Sequence, residues 1–269
     1  MAEPFLQNSD SNLHIEKWQN MNSRLKAGFT TRNGGTSQRP FHTFNLGLHV
    51  PDRKEDVITN RHKLAKDLNI GLESWVSGEQ THQTNVHIVK DEDKGKGAKS
   101  YSSSLENIDG IVTNCTGVLC TAFYADCVPL YFFDPDTEYI GIAHAGWKGT
   151  VHRIGEKMVD TFKSVGTDPA NLLVVIGPCI SQEVYEVDKH VTSHIPEKFF
   201  GKSVIPLENN RYLLDLKQLN VEILLQHGVQ PHNIDITKYC TFTDEALFFS
   251  HRRDHGKTGR MLGYIGYTS

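Results

Sequence analysis

The sequence lacks the features that mark a secreted, disulfide-bonded or membrane-spanning protein. Its five cysteines are odd in number and show no C-x-x-C spacing, which indicates reduced thiols rather than a paired framework. The most apolar segment, residues 118–133, is interrupted by Asp126 and Pro129 and is too short to cross a bilayer. The N-terminus has no basic start followed by an apolar stretch, so we expect no signal peptide. We therefore expect a soluble, cytoplasmic protein.

The sequence also lacks a strong excess of charge of either sign. A formal net charge of -4 supplies no basic field, which argues against nucleic acid or a membrane surface as the main partner. With 269 residues, of which 38% are hydrophobic, the chain is long enough for one large domain. We expect a single domain over residues 1–269, with a flexible N-terminus over residues 1–20, and a small molecule as its partner.

Short apolar runs and helical patterns alternate along the chain and predict a mixed α/β (α/β or α+β) fold. Helices are predicted at "DRKEDVITNRHKLAKDLNI", at "VHRIGEKMVDTFKSVG" and at "DLKQLNVEILLQHGV", the last with Asp215 as its cap. Strands are predicted at "RLKAGFTT", "DGIVTN", "GVLCTAFYAD", "VPLYFFD", "YIGIAHAG", "NLLVVIGP" and "ALFFSHRRD". The polar stretch "KDEDKGKGAKSYSSSLEN" is typical of an exposed loop.

A cysteine and a histidine stand next to neighbouring predicted strands. Cys127 lies between two apolar runs, at a bend whose direction Pro129 helps to set, and His144 follows the run 140–143. A packed core accepts neither group without a partner. A catalytic zinc takes three protein ligands, and His82 in the polar segment "EQTHQTN" is a candidate for the third. Because fourteen histidines allow many such sets of three ligands, residue spacing alone does not decide whether this metal site exists.

The same residues also have simpler interpretations that involve no metal. Cys127 fits equally well as an apolar filler between strands, and His144 as a histidine bonded to a neighbouring carbonyl. The other four cysteines have no acidic or histidine neighbours as close, and we expect them to be structural. Arg252 and Arg253 are expected to be a solvated surface pair.

Blocks spread over nearly the whole chain carry a resemblance to a known family. They are "FTTRNGGTS" with "FNLGLHVPD" and "NR", then "EQTH", "DGIVT" followed by "YADCVPLYFFD", "IGIAHAGWKGT", "IGPCISQEVYEV" and "CTFTDEALFFSHRRDHGKTGRMLGYIG". In these blocks the sequence resembles the YfiH/YlmD-like family, known as multicopper polyphenol oxidase or laccase-domain proteins and as purine nucleoside phosphorylases. The resemblance implies a single-domain fold of mixed sheets flanked by helices, related to the cytotoxic necrotizing factor-like hydrolases.

The resemblance implies a zinc site built from three of the matched blocks. The histidine of Q-x-H, the cysteine of A-D-C-x-P and the histidine of H-A-G-W fall on His82, Cys127 and His144. Two neighbouring positions depart from the family pattern, which has glycine after the first histidine and arginine after the tryptophan. This chain has Gln83 and Lys148 there, and a lysine keeps the charge but not the planar fork of arginine.

The activity implied by the resemblance is phosphorolysis of adenosine, inosine, guanosine or methylthioadenosine with inorganic phosphate, together with deamination of adenosine. Zinc lowers the pKa of bound water, which rationalises attack on an electron-poor purine carbon. Asp126 is expected to transfer a proton or to orient a ligand. By residue chemistry within the matched blocks, we expect Arg32, Arg61 and Lys148 to bind phosphate and Asn45 to bind ribose or base.

Two other activities remain open at the level of sequence. The first is a copper-dependent polyphenol oxidase (laccase), although the chain has no H-x-H pair; copper also substitutes for zinc at such ligands. The second is a Cys/His hydrolase or deamidase in which Cys127 is the nucleophile and His144 the base. A third interpretation is a structural or interaction protein, including the peptidoglycan-editing task attributed to some relatives. The resemblance suggests a monomer or a homodimer.

Overall fold

The computed structural model describes residues 2–268, which contain fifteen strands and seven α-helices joined by loops and short 3-10 turns. The α-helices are α1 (Glu16–Met21), α2 (Lys54–Leu68), α3 (Trp147–Val151), α4 (Ile154–Ser164), α5 (Lys189–Thr192), α6 (Phe200–Ser203) and α7 (Leu216–Gln226). The strands are β1 (Phe5–Ser9), β2 (Asn12–Ile15), β3 (Leu25–Thr30), β4 (Trp75–Ser77), β5 (Val86–Ile88), β6 (Gly110–Thr113), β7 (Val118–Tyr124), β8 (Val128–Phe133), β9 (Ile140–Ala145), β10 (Leu173–Ile176), β11 (Glu186–Asp188), β12 (Val204–Pro206), β13 (Arg211–Leu214), β14 (Ile234–Ile236) and β15 (Met261–Tyr267).

The strands form two six-stranded mixed sheets and a small third one within the described chain. The first sheet has the order β1-β2-β3-β15-β7-β4 and is antiparallel except where β4 pairs with β7. The second has the order β14-β10-β8-β9-β6-β5, with parallel pairs at its two edges. Strands β11, β13 and β12 form the antiparallel third sheet. The predicted single-domain mixed α/β fold is confirmed.

The main core lies between the two large sheets. Tyr131 of the second sheet donates a hydrogen bond of 2.7 Å to the carbonyl of Gly28 in the first, and Tyr124 of the first donates one of 3.0 Å to Ala143 in the second. Helix α2 covers the outer face of the first sheet, and helices α4 and α7 cover the outer face of the second. The fold is therefore a sandwich of two sheets with helices on both outer faces.

Burial on both faces explains why the central strands were recognisable as continuous apolar runs. In β8, Tyr131 and Phe133 point into the core between the sheets, whereas Leu130 and Phe132 pack against the helices. This alternation is the two-residue period of a strand, and here both faces are apolar. Strands β7, β8 and β9 lie within the strands predicted at "GVLCTAFYAD", "VPLYFFD" and "YIGIAHAG", and His144, expected to follow the run 140–143, lies inside β9.

The predicted helices are confirmed, with the expected end signals. Helix α7 begins after Asp215, whose carboxylate accepts a hydrogen bond of 2.9 Å from the backbone N–H of Gln218. Helix α4 ends just before Gly166, which has a left-handed φ of 99°. Within residues 2–268, no helix is both long and apolar enough to cross a membrane.

The expectation of a flexible N-terminus over residues 1–20 does not agree with the structure. Residues 5–21 form β1, β2 and α1 rather than a flexible segment, because Trp18 is only 1% exposed and its ring packs 5.6 Å from that of Phe133. The stretch predicted to be an exposed loop, residues 90–107, is also partly buried: it contains two short 3-10 turns and encloses Ala98.

The strand predicted at "ALFFSHRRD" is also wrong. Phe248 and Phe249 are fully buried, which gives the segment the apolar pattern of a strand, but the structure describes turns and coil over residues 246–254. The guanidinium of Arg253 binds the carbonyls of Thr241, Phe242 and Phe248 at 2.9–3.0 Å. These hydrogen bonds hold the backbone in a loop and replace the ladder of a sheet.

Candidate metal-binding active site

Three side chains from separate parts of the fold meet at one point. His82 lies in the loop between β4 and β5, Cys127 in the bend between β7 and β8, and His144 near the end of β9. One potential ligand atom from each lies within 4.8 Å of the others. The register of β8 and β9 pairs Pro129 with His144, which brings the cysteine bend beside the histidine. The structure thus brings together the three residues that the sequence nominated as metal ligands.

Asp109, which the sequence analysis did not single out, orients two of these residues. Its carboxylate lies 2.9 Å from Nδ1 of His144 and accepts hydrogen bonds from the backbone N–H groups of His82 (3.1 Å) and Gln83 (2.9 Å). With its proton on Nδ1, His144 presents Nε2 as the free ligand atom. The signal for Asp109 was its place at the head of the matched "DGIVT" block, directly before β6.

The charges of the cluster favour the ligand form of the cysteine. Burial alone would raise the pKa of the Cys127 thiol, but the charge and hydrogen bond of His144, followed by those of His82, lower that pKa to about 6. Burial would lower the pKa of His144, whereas the Cys127 thiolate and the carboxylate of Asp109 raise it to about 9. Because a thiolate is the form that binds metal, Cys127 is electrostatically prepared for a cation, and binding of a cation would release the proton that His144 carries next to the thiolate.

The backbone around the cluster is closely packed and strained. A Cβ atom on Gly146 would lie 2.9 Å from Sγ of Cys127 and 3.2 Å from Cδ2 of His82, so only glycine fits there without displacing one of these side chains. Gln80, His82 and Asp126 have φ angles of 59°, 61° and 83°, a region that non-glycine residues rarely adopt. Such strained residues concentrate at functional sites. The donor set that this backbone holds, one sulfur and two imidazole nitrogens, fits a zinc ion.

The cluster lies in a cleft of about 500 Å³ with aromatic and cationic walls. Clefts of this size hold small organic ligands. The aromatic side chains that line it are His49, Tyr101, Phe123, Trp147 and Tyr185, and the cationic ones are Lys148, Arg252 and Arg260.

Asp126 lines the cleft, but both of its carboxylate oxygens are engaged by the protein. They accept hydrogen bonds of 2.7 Å from the Thr241 hydroxyl and from the backbone N–H of Arg252, and the Asp126 carbonyl accepts one of 3.1 Å from Ile180. The residue therefore ties the bend that carries Cys127 to the segment 241–252. Of the two roles left open by the sequence, the geometry favours orientation over proton transfer.

Arg61, nominated as a phosphate ligand, lies outside the cleft lining. It is 1% exposed, and its guanidinium donates to the carbonyls of Leu46, Gly97 and Ala98 at 2.7–2.9 Å. The group also lies over the ring of Phe123, 4.7 Å from its centre. Burial lowers the pKa of Arg61 to about 9. With its donors committed to carbonyls, the side chain has no access to phosphate in the cleft, which corrects that expectation.

Arg32 and Asn45 are likewise outside the cleft lining. Arg32 donates to the carbonyls of His42 and Glu245. Asn45 is fully buried, and its side-chain oxygen accepts the backbone N–H of Arg260 at 2.9 Å. The predicted phosphate contact of Arg32 and the predicted substrate contact of Asn45 therefore have no geometric support.

The cations that do line the cleft are Lys148, as predicted from the sequence, together with Arg252 and Arg260. Arg252 and Arg253, expected to be a solvated surface pair, have different environments. Arg252 lies over the ring of Tyr185, 5.0 Å from its centre, whereas Arg253 binds backbone carbonyls. Sequence reasoning missed Arg252 and Arg260 because a run of charges in a loop carries no sign of which side chain faces a site.

Fold and site together define a single-domain α/β protein whose cleft is built around a candidate His–Cys–His metal centre. The family described as multi-copper polyphenol oxidoreductase laccase matches residues 26–268, and the chain belongs to this family.

Relatives of known sequence and structure agree with this assignment. The chain is 44% identical to a Bacillus subtilis protein named purine nucleoside phosphorylase YlmD, over 98% of this chain and 97% of that protein. It is similar to the crystal structure of the Bacillus licheniformis hypothetical protein YfiH, with 42% identity, a TM-score of 0.95 and coverage of 99% of this chain and 100% of that one. For YlmD from Geobacillus stearothermophilus the identity is 38% and the TM-score 0.94, with both chains fully covered.

Replacement of Asp109 by asparagine tests its role in orienting the ligands. We expect Asp109→Asn to weaken zinc binding about 10- to 100-fold, because the amide cannot accept all the hydrogen bonds that the carboxylate accepts. Competition titration with a chromogenic chelator measures the affinity. The matched control is Asp93→Asn, another buried aspartate 2.9 Å from a histidine nitrogen, that of His87, but outside the cleft lining. Equal zinc affinities of Asp109→Asn and the wild type would refute the role.

Proposed function

We propose that the chain is a zinc-dependent purine nucleoside phosphorylase. In this proposal it converts adenosine, inosine, guanosine or methylthioadenosine and inorganic phosphate to the free base and the corresponding ribose 1-phosphate, and it also deaminates adenosine. The relatives named purine nucleoside phosphorylase support the reaction class. The observation that carries the proposal is the convergence of His82, Cys127 and His144 in a cleft that also has cationic and aromatic walls.

The zinc assignment rests on the donor set and on what surrounds it. His82, Cys127 and His144 supply three ligands, the usual number at a catalytic zinc, which keeps a fourth position for substrate or water. A bound zinc ion supplies Lewis acidity at that position. Asp109 fixes the tautomer and orientation of His144, and Gly146 permits the close approach of Cys127 and His82 to its backbone.

Phosphate in this proposal binds the cations of the cleft. Among the hydrogen bonds of the described residues, Arg260 uses Nη1 for the carbonyls of Thr258 and Gly259, so Nε and Nη2 are free for a ligand. Lys148 is exposed and supplies a second positive charge. Such groups hold phosphate against the anomeric carbon and offset the charge that develops on the departing base.

Substitution of the ligands tests the central claim. We expect His82→Ala, Cys127→Ser and His144→Ala each to lose stoichiometric zinc and to lower phosphate-dependent conversion of adenosine to adenine more than about 100-fold, because each removes one of three ligands. Elemental analysis measures zinc, and chromatography of the products measures turnover. His87→Ala, which changes a histidine outside the cleft lining, should behave like the wild type. Wild-type turnover by zinc-free Cys127→Ser would contradict the proposal.

Substitution of the cleft cations separates phosphate binding from nucleoside binding. We expect Lys148→Ala and Arg260→Ala to raise the KM for phosphate about tenfold, with a smaller effect on the KM for nucleoside, because each removes a charged donor. Arg32→Ala is the control, since its guanidinium binds backbone carbonyls instead. Steady-state kinetics with each substrate varied in turn gives both constants. Unchanged phosphate constants in both cleft variants would exclude these roles.

A Cys/His hydrolase is the second candidate, and one observation favours it. Cys127, His144 and Asp109 form a series in which the cysteine has a lowered pKa and the histidine is oriented by a carboxylate, as in nucleophilic hydrolases. His82 has no role in such a series, whereas it supplies the third donor of a metal site. A copper oxidase has less support, because among residues 2–268 the structure has a single cluster of three metal-type ligands.

Alkylation of Cys127 distinguishes the metal site from a free nucleophile. We expect zinc to protect Cys127 from iodoacetamide at least about tenfold, because a coordinated thiolate is not available for attack, and we expect rapid modification after zinc is removed by a chelator. Peptide mass spectrometry measures the modification. Buried Cys120, whose pKa burial raises, should stay unmodified throughout and serves as the internal control. Equal rates of Cys127 modification with and without zinc would favour the hydrolase.

A further inference from the structure

Three aromatic side chains form a continuous wall of the cleft that neither the metal nor the phosphate roles use. We define the aromatic wall as His49, Tyr101 and Phe123. The ring of His49 lies 5.8 Å from that of Tyr101 and 5.9 Å from that of Phe123. The three residues come from different segments: the loop before α2, the polar stretch 90–107 and strand β7. The wall therefore exists only if three distant parts of the chain are held together.

One buried arginine contacts all three of these segments. Arg61 donates two hydrogen bonds to the carbonyl of Leu46, three residues before His49, at 2.7 and 2.9 Å. It donates to the carbonyls of Gly97 and Ala98, just before Tyr101, at 2.7 and 2.8 Å. Its guanidinium also lies over the ring of Phe123. The planar guanidinium thus fixes the backbone near His49 and near Tyr101, and it lies directly over the ring of Phe123.

Burial of the Arg61 guanidinium has a free-energy cost that a residue serving only to fill the core would not have. Burial of a cation is unfavourable unless it is paired and hydrogen-bonded, and Arg61 forms no salt bridge within the described chain. Its partners are backbone carbonyls, which an apolar side chain of similar volume would leave without donors. The contacts identify it as the group that fixes the relative positions of the two loops and the strand.

Trp147 and Tyr185, like Phe123, carry cations over their rings. The ammonium of Lys148 lies 5.7 Å from the ring centre of Trp147, and the guanidinium of Arg252 lies 5.0 Å from that of Tyr185. Tyr101, by contrast, is 38% exposed, and its hydroxyl donates to the carbonyl of Glu79 at 3.1 Å, which holds the side chain in place. A flat heterocycle stacks on such an aromatic surface, and an anion is held by the cations.

We propose that the aromatic wall binds the base of the nucleoside by stacking, and that Arg61 is the positioning residue that assembles it. This inference rests on the proposed function for its substrate class, a purine nucleoside. It gives Arg61 a role in recognition of the base that is independent of phosphate. It also gives Tyr101, in a stretch that the sequence marked only as a loop, a direct contact with substrate.

Kinetics of wall variants test the proposal. We expect Tyr101→Ala to raise the KM for adenosine about tenfold, because base stacking on an exposed aromatic side chain has this order of magnitude. Phe123→Leu removes the ring that packs against His49 behind Tyr101 and should raise the same KM. The KM for phosphate and the zinc content should stay at wild-type values in both variants. Arg61→Lys keeps the charge but loses the fork and should show the same pattern. Tyr212→Ala, which changes a half-buried tyrosine outside the cleft lining, is the control. If Tyr101→Ala and Phe123→Leu both retain the wild-type KM for adenosine, the wall does not bind the base.

A binding measurement separates this proposal from the proposed function. Titration calorimetry with inosine in phosphate-free buffer measures affinity for a nucleoside under conditions that permit no phosphorolysis. We expect the zinc-loaded wild type to bind inosine and Tyr101→Ala to bind it about tenfold more weakly. Weaker binding by Tyr101→Ala supports the role of the wall whether or not the protein is active with phosphate. Absence of phosphorolysis by the wild type would contradict the proposed function and leave the role of the wall intact. Phosphorolysis by the wild type combined with unchanged inosine affinity in Tyr101→Ala and Phe123→Leu would overturn the wall and leave the function standing.

Discussion

A single buried carboxylate fixes the two histidines on which the candidate metal centre depends. Asp109 binds the imidazole of His144 and the backbone of His82 and Gln83, so it joins strand β9 to the loop before β5. Hydrogen bonds to an ionised group are strong, and enclosure in protein strengthens them further. The same carboxylate sets which nitrogen of His144 carries the proton. Without this link, Cys127 would face two imidazoles with no defined separation.

The sandwich of sheets turns this local arrangement into a cleft. Strands β8 and β9, buried on both faces, place the cysteine bend and His144 side by side, and Asp126 anchors that bend to the segment 241–252. The anchored segment contributes Arg252, and the turn that follows it contributes Arg260. Hydrogen bonds of Asp126 therefore hold the bend that carries Cys127 to the segment that carries Arg252. A site of this kind needs the rigidity of the core beneath it.

The sequence was informative where a local pattern determines structure and silent where tertiary contacts do. Buried strands such as β7 and β8 follow from their apolar runs, and helix ends follow from residues such as Asp215 and Gly166. The three candidate metal ligands are far apart along the chain, so family motifs and not spacing nominated them. Arg61 was assigned to phosphate because a cation in a matched block resembles a ligand. Its carbonyl partners are set by packing, which no local pattern encodes. The same limit explains why Asp109 was overlooked.

Gly146 shows that the centre depends on its backbone as much as on its donors. The sulfur of Cys127 and the ring of His82 approach this residue so closely that even a methyl group would press against both. Any other residue at this position would therefore have to displace one of those two side chains. A chain with all three donors intact and a larger residue at position 146 would hold them in a different arrangement. When related sequences are compared, position 146 thus carries information about the centre that the three donor positions do not.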